Sequence, residues 1–333
     1  MNAPFLQPPV VDRVPLPRDA WYLACAAQLL ADQPLALGIF GEPIVLFRDG
    51  SGNPAALHDR CPHRGVALSL GSVEGGSIAC AYHGWRFGGD GRCAHVPSLT
   101  ADRSIPPGAA VRTYPCAEQD GQIWIWMGDG EPAGTPRPIP GFADTIWVQG
   151  AIDLACEAIL PIENNLDICH PTFTHAGSHP QWFMVQQVGF NDREYLMTST
   201  GTGITVEAGP TTLRYDLPDR VTVVTEGPVP FRLILMHTPT APGRCRQHWL
   251  MASGSVGDQR PHAVSWSDDE PEILAQDRRV MESAQRAYEA EGDGFEVSVE
   301  ADATTLLVRR LLRLMRAGKP VEAAPPRIVR ARS

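Results

Sequence analysis

Two short segments constrain this chain more than anything else in it. They are Cys61-Pro62-His63-Arg64-Gly65 and Cys80-Ala81-Tyr82-His83-Gly84-Trp85, with 16 residues between His63 and Cys80. Each offers one thiolate and one imidazole, so two loops can present a Cys2His2 set to one centre. The candidates are a zinc ion and a [2Fe–2S] cluster in which two His replace two Cys on one iron. Zinc fingers usually place both cysteines first and both histidines last. Here each loop supplies one of each and can serve both irons, which favours the cluster. Gly65 and Gly84 let the backbone approach closely, so that N–H groups can point at cluster sulfurs.

The surroundings of these loops read as strands. Residues 36–40 and 43–48 flank a Gly41-Glu42 turn, and 85–87 run into Gly88-Gly89-Asp90-Gly91, a hairpin signal. Over 122–127, Ile123, Ile125 and Met127 alternate with Trp124 and Trp126, as in a strand packed on both faces. An all-β domain is expected over 21–130, after an N-terminal arm at 1–20. Prolines 132, 136, 138 and 140 then mark a linker over 131–146, since proline at that density enters neither a ladder nor a helix interior. The second domain, 147–333, mixes elements, and the fold class is α+β. A strand at 147–159 precedes a helical stretch opened by Pro161 and running through Asp167. Strands at 194–200, 211–217, 220–225, 231–237 and 246–252 suit an antiparallel sheet. Helices at 271–290 and 302–317 close the chain, the latter stopped by Gly318 and Pro320, with Arg309, Arg310, Arg313 and Arg316 on a solvated face.

Composition excludes several classes of function. At 333 residues, 43% hydrophobic and 20% charged, the chain is too apolar for wholesale disorder and long enough for two cores. A net charge of −10 argues against nucleic acid or an anionic membrane as principal partner. No apolar run reaches the ~18–20 residues of a membrane span. Residues 1–17 lack the basic-then-apolar start of a signal peptide, so a cytoplasmic location with reduced cysteines is expected.

A second constellation lies between Glu163 and His175. Asp167 and His170 are three apart and share one face of a helix. His170 and His175 are five apart, about 140° on an ideal helix, so a straight helix cannot aim both at one ion. Pro171 disfavours the helical conformation at His170, and a break just after His170 should re-aim His175. By themselves these are equally two histidines near a helix end. A third ligand comes from periodicity. Asp277 lies on the apolar stripe of Ile273, Val280, Met281, Ala284 and Tyr288. An ionised carboxylate facing a core is costly unless paired or bound to a cation. A salt bridge is the alternative; with His170 and His175 available, metal binding is the better reading. Two His and one carboxylate form the facial triad of non-haem Fe(II) oxygenases.

Together the two halves resemble the oxygenase component of Rieske non-haem iron oxygenases, most closely the vanillate and dicamba O-demethylase branch. The cluster pattern C-x-H-x15–17-C-x2-H is matched by Cys61, His63, Cys80 and His83. The iron motif N-x2-D-x2-H-x4-H is matched by Asn164, Asp167, His170 and His175, with Asp277 as the distant helical acid. The resemblance implies a Rieske domain followed by a helix-grip domain, an antiparallel sheet around a long helix. It implies a low-potential cluster, ~ −150 mV, because Val66 and Tyr82 stand where high-potential members carry a bridged pair of cysteines. It also implies a head-to-tail homotrimer, with Asp167 bridging His83 of one subunit to His170 of the next and Asn164 near the iron; a helix-end cap is the plainer role for Asp167. The activity expected is O2-dependent monooxygenation, by hydroxylation or O- or N-demethylation, of a small aromatic or apolar substrate.

No nicotinamide or flavin fingerprint is present, and Gly201-Thr202-Gly203 reads as a hairpin feature. NAD(P)H electrons would therefore arrive through a separate reductase, with or without a ferredoxin. Arg64 and Arg86 could help dock such a carrier, though structural roles are the plainer expectation. His237, His248 and Trp266 could line a pocket, but fit a core equally. The rivals are a pure Rieske electron carrier without oxygen chemistry and a Cys2His2 zinc-stabilised binding module.

Overall fold

Buried aliphatic strands build the frame that carries the two Cys–His loops. The computed structural model describes residues 15–143, 145–175, 192–227, 230–253, 272–292 and 294–332. Most of the expected N-terminal arm, and Trp266, lie outside the described residues. The chain divides into two units, one of residues 18–145 with 238–242, the other containing 146–237 and 243–333. Among the described residues no helix is long and apolar enough to cross a membrane.

The first unit holds β1 (Trp21–Ala26), β2 (Leu35–Ile39), β3 (Glu42–Arg48), β4 (Pro54–His58), β5 (Ser72–Glu74), β6 (Ser77–Ala79), β7 (Arg86–Phe87), β8 (Cys93–His95), β9 (Thr113–Tyr114), β10 (Cys116–Gln119) and β11 (Gln122–Trp126). They form three small sheets, ordered β1-β11-β10, β2-β3-β4-β9 and β5-β6-β7-β8. Ile123, Trp124, Ile125 and Trp126 are all buried, as packing on both faces of β11 requires. Val45, Phe47, Leu57, Leu68, Ile78 and Phe87 pack into one core that also takes in Cys61 and Cys80. Each such side chain contributes ~1.5–3 kcal/mol of burial, so both loops are rooted in well-packed ground. The β2–β3 turn is Phe40-Gly41, at φ +52° and +78°, one residue earlier than expected. Glu42 is already paired with Ile39, and the Phe40 ring rests edge-on against Tyr22 at 5.2 Å.

The second unit is an eight-stranded sheet ordered β12-β18-β17-β16-β15-β14-β13-β19. Its strands are β12 (Val148–Leu154), β13 (Asp192–Thr200), β14 (Gly203–Ala208), β15 (Thr211–Asp216), β16 (Arg220–Thr225), β17 (Phe231–Ala241), β18 (Arg244–Ser253) and β19 (Ala323–Arg332). Its helices are α1 (Ile159–Leu166), α2 (Pro171–Thr174), α3 (Glu272–Glu291) and α4 (Ala303–Arg316). α1 packs against α3, α4, β15 and β16. This is the α+β architecture expected, with α1 and α4 packed against an antiparallel sheet and α3 against α1.

Several local expectations are corrected. β12 stops at Leu154, and α1 begins two residues before Pro161, because a first-turn proline loses no intrahelical bond. β14 was not foreseen; Gly201-Thr202 is the turn that leads into it. Nor was β19, whose Pro325 and Pro326 argue against a strand. They fit because β19 ends the sheet and its register slips there, Ser199 facing Ala324 but Met197 facing Arg327. The buried stripe of α3 is Leu274, Asp277, Met281 and Gln285, rotated from the expected one, and Val280 is exposed. Gln285 turns inward because its Oε1 accepts the Glu157 N–H at 3.0 Å. On α4, Arg310, Arg313 and Arg316 are solvated, but Arg309 reaches inward along the Val308–Leu312 flank to an ion pair.

Candidate metal centres

The two Cys–His loops are built alike. The Cys61 N–H donates to Val66 O at 2.8 Å and the Gly65 N–H to Cys61 O at 2.9 Å. Likewise, the Cys80 N–H donates to Trp85 O and the Gly84 N–H to Cys80 O, both at 2.9 Å. Gly65 (φ +76°) and Gly84 (φ +68°) close the loops in the left-handed region, where a side chain would be strained. Their own N–H groups serve the cysteine carbonyls, which closes each loop. The N–H groups aimed at Cys61 Sγ are those of His63 and Arg64.

Cys61 and Cys80 are buried and face each other. Burial pushes the Cys61 thiol above its ordinary range, opposed by the His63 and Arg64 N–H groups and reinforced by Cys80. The His63 and His83 rings meet edge to face at 4.6 Å, and Trp85, unforeseen as a partner, stacks on His63 at 4.6 Å. His63 is held below its ordinary pKa, first by burial and then by His83 and Arg64, which favours a neutral imidazole. Its Nδ1 is buried with no hydrogen-bond partner among the described residues. Two facing thiols beside an orphaned imidazole nitrogen suit a [2Fe–2S] cluster. Arg86 pairs with Glu74 at 2.5 Å, a structural role, while Arg64 is exposed.

In the second unit, His170, His175 and Asp277 come together, with one ligand atom from each lying within 4.8 Å of the others. The helix break falls earlier than expected. α1 ends at Leu166, Asp167 is extended, and His170 itself is helical (φ −59°, ψ −35°) as the cap of α2. Pro171 is thus the first residue of a new helix, a position that suits proline, and Asp167 and His170 do not share one helical face. His175 caps the other end of α2.

Each imidazole is oriented through Nδ1. His170 Nδ1–H donates to the Asp167 backbone O at 2.7 Å, and His175 Nδ1–H to Gln276 Oε1 at 2.8 Å. Both Nε2 atoms are thereby left facing Asp277 Oδ1, at 3.7 Å and 3.1 Å. Asp277 is 4% exposed, and Oδ1 lacks an aligned hydrogen bond among the described residues. Burial alone would depress His175, but Asp277 outweighs it and holds the group above its ordinary value. Two backed imidazoles and a buried carboxylate oxygen fit a divalent ion. Asn164 Nδ2 lies 3.5 Å from His170 Nε2. The Asp167 carboxylate accepts the Cys169 N–H at 2.7 Å, so within the chain its carbonyl, not its carboxylate, meets His170. Gln276 escaped sequence reasoning because nothing in the pattern marks it apart from adjacency to Asp277.

His237 and His248 are buried core residues. His237 Nδ1–H donates to Asp219 O at 2.7 Å, and its Nε2 accepts from Asn165 Nδ2 at 3.1 Å. Burial pulls its pKa down to about 4. The unfolded chain therefore binds more protons below pH ~6.5, and stability falls as pH drops from there toward 4. Denaturant titrations at pH 7 and pH 5 should differ by about 2 kcal/mol from this group, a slope that His237→Gln removes.

Residues 20–115 match the Rieske [2Fe-2S] domain, and residues 208–318 match the vanillate O-demethylase oxygenase C-terminal domain. Chlorophyllide a oxygenase of Chlamydomonas reinhardtii is 44% identical over 185 residues, 54% of this chain and 28% of that one. The vanillate O-demethylase oxygenase subunit of Pseudomonas sp. strain HR199 is 37% identical, over 49% of this chain and 46% of its own. For the dicamba O-demethylase oxygenase component of Stenotrophomonas maltophilia the identity is 38%, over 47% of each. The matched stretches thus span less than half of these relatives' lengths. The crystal structure of dicamba monooxygenase bound to dicamba superposes with a TM-score of 0.73 at 26% identity, covering 90% of this chain and 97% of that one. Pseudomonas putida CBB5 NdmA shares the fold at a TM-score of 0.75 and 23% identity, covering 90% of this chain and 91% of that one.

Proposed function

We propose that this chain, a Rieske-type oxygenase component by its two domains, is the terminal oxygenase of a multicomponent system that hydroxylates or oxidatively demethylates a small aromatic or apolar substrate. The observation that carries the reading is the convergence of His170 Nε2, His175 Nε2 and a buried Asp277 Oδ1 in a chain that also presents Cys61, His63, Cys80 and His83. When bound, a [2Fe–2S] cluster and a ferrous ion supply one-electron transfer and O2 activation. Cys61, Cys80, His63 and His83 would hold the former, and His170, His175 and Asp277 the latter.

The chain's own residues do the rest. Asp167 O and Gln276 Oε1 hold each imidazole with its proton on Nδ1 and its lone pair on Nε2, the nitrogen that faces Asp277. Asn164 stands beside His170, close enough to bias what approaches it. Where the oxidised carbon belongs to a methoxy or N-methyl group, the resulting hemiacetal or hemiaminal collapses and releases formaldehyde. Electrons would come from NAD(P)H through a separate reductase, with or without a ferredoxin. The working assembly is a head-to-tail homotrimer in which the Asp167 carboxylate meets His83 of the partner subunit, while its carbonyl keeps His170 in place.

Iron content and visible absorbance test this directly. Three irons per chain with a red-brown spectrum are expected; two irons would mean an electron carrier, and a colourless zinc protein a binding module. Asp167→Asn keeps both the carbonyl bond and an acceptor for Cys169. It should leave iron and colour intact while NAD(P)H-coupled turnover, read as formaldehyde from a methoxy-aromatic panel, falls by on the order of 100-fold or more. Normal turnover would remove the bridging role.

A further inference from the structure

Arg309 lies in a part of the second unit that the proposed chemistry does not use. Its side chain is 18% exposed and sits between two carboxylates. Nε and Nη2 reach the two oxygens of Glu163 at 2.5 and 2.9 Å. Nη1 and Nη2 reach the two oxygens of Glu296, the latter at 2.9 Å, and the Tyr288 hydroxyl donates to the same Glu296 carboxylate. One planar guanidinium thus makes two forked pairs, a geometry that a lysine ammonium cannot copy.

What the network joins gives it a role. Glu163 is on α1, one residue before Asn164 and four before Asp167, the residues that touch His170. Tyr288 is on α3, three turns beyond Asp277. The chain Glu163–Arg309–Glu296–Tyr288 therefore runs from the helix end that orients His170 to the helix that carries Asp277. Burying a guanidinium and two carboxylates is a poor way to gain stability, since apolar residues of similar volume often do as well. What such a pair adds is direction, because forked bonds tolerate little sliding or rotation. A three-residue metal site needs its ligands held within ~0.5 Å.

We propose that Arg309 is a positioning residue for the mononuclear metal site, setting the spacing of α1 and α3 through Glu163, Glu296 and Tyr288. The inference rests on the reading of His170, His175 and Asp277 as an iron site. The test is the rate at which holoenzyme releases Fe(II) to a ferrous chelator, with cluster absorbance and circular dichroism followed in the same samples. Arg309→Met should speed release from the triad about tenfold, the lower end of what losing a supporting partner costs in metal affinity. Arg309→Lys should fall between Met and wild type, and Tyr288→Phe should shift release in the same direction by roughly two- to threefold. Cluster absorbance should not change. Folded Arg309→Met protein that releases iron within twofold of wild type would overturn the proposal. If that variant does not fold, Arg309→Lys and Tyr288→Phe decide, and wild-type release from both overturns it equally. Wild-type protein with no iron beyond its cluster would instead sink the metal site, and the clamp with it.

Discussion

On the proposed reading, Asp277→Asn should lower the iron content from three per chain to two and cut turnover by on the order of a thousandfold or more, with the red-brown colour intact. The substitution keeps the size of the side chain and removes its charge. Oδ1 lies 3.1 Å from His175 Nε2 and 3.7 Å from His170 Nε2, where an amide oxygen would offer only a weak neutral donor. Losing a group that merely supports a ligand costs ~10–100-fold in affinity, so losing an anionic ligand costs more. The same carboxylate also supports the iron-free fold, since Asp277 holds His175 above its ordinary value from 3.1 Å. Urea unfolding of chelator-treated protein should therefore show Asp277→Asn less stable than wild type. A variant that loses stability but keeps its third iron would leave a salt bridge with His175 as the purpose of Asp277.

Cys80→Ser should give the complementary result, one iron per chain and no visible cluster. A hydroxyl is a poor substitute for a thiolate toward a [2Fe–2S] centre, and both loops lose a cross-link that is itself folding free energy. Cys80 and Cys61 lie in one apolar core, so the released loops should be cut by protease faster than in wild type, between residues 61 and 66 and between 80 and 85. Turnover should be undetectable, although the triad can still load. Absorbance, iron analysis and limited proteolysis read the three effects separately. Retained colour would show that Cys80 is not a cluster ligand.

The sequence made some of this site legible and hid the rest for physical reasons. The Cys–His loops are legible because all their donors lie within two short segments, each closed by a glycine that must sit at positive φ. The pairing of His170 and His175 is visible, but the location of the break is not. Pro171 signals an interruption equally well from either side of a helix boundary, and the chain breaks at Asp167 instead. Asp277 emerged from an apolar stripe set one residue off, since Gln285 faces inward to serve a backbone N–H that no periodicity reveals. Gln276 acts through a tertiary contact and leaves no spacing to detect, while the Asp167 carbonyl is a backbone group, so the Asp167–His170 spacing was visible but pointed to the side chain. Arg309 shows the limit most plainly. Three arginines of the same helix do lie in solvent, and what separates the fourth from them is the approach of Glu163 on α1 and of Glu296. β19 was hidden because its proline pair speaks against a strand until an edge and a register slip make room for it.

That proline pair has a consequence for how copies of the chain can meet. Pro325 and Pro326 lie near the start of the strand at the rim of the large sheet, and because successive N–H groups point to opposite sides, one of the two removes a donor from the outward side. Further along the same side the Arg330 N–H is already given to Glu300 Oε1 at 3.2 Å. A foreign strand laid along this rim would therefore find fewer backbone partners than a continuous edge offers.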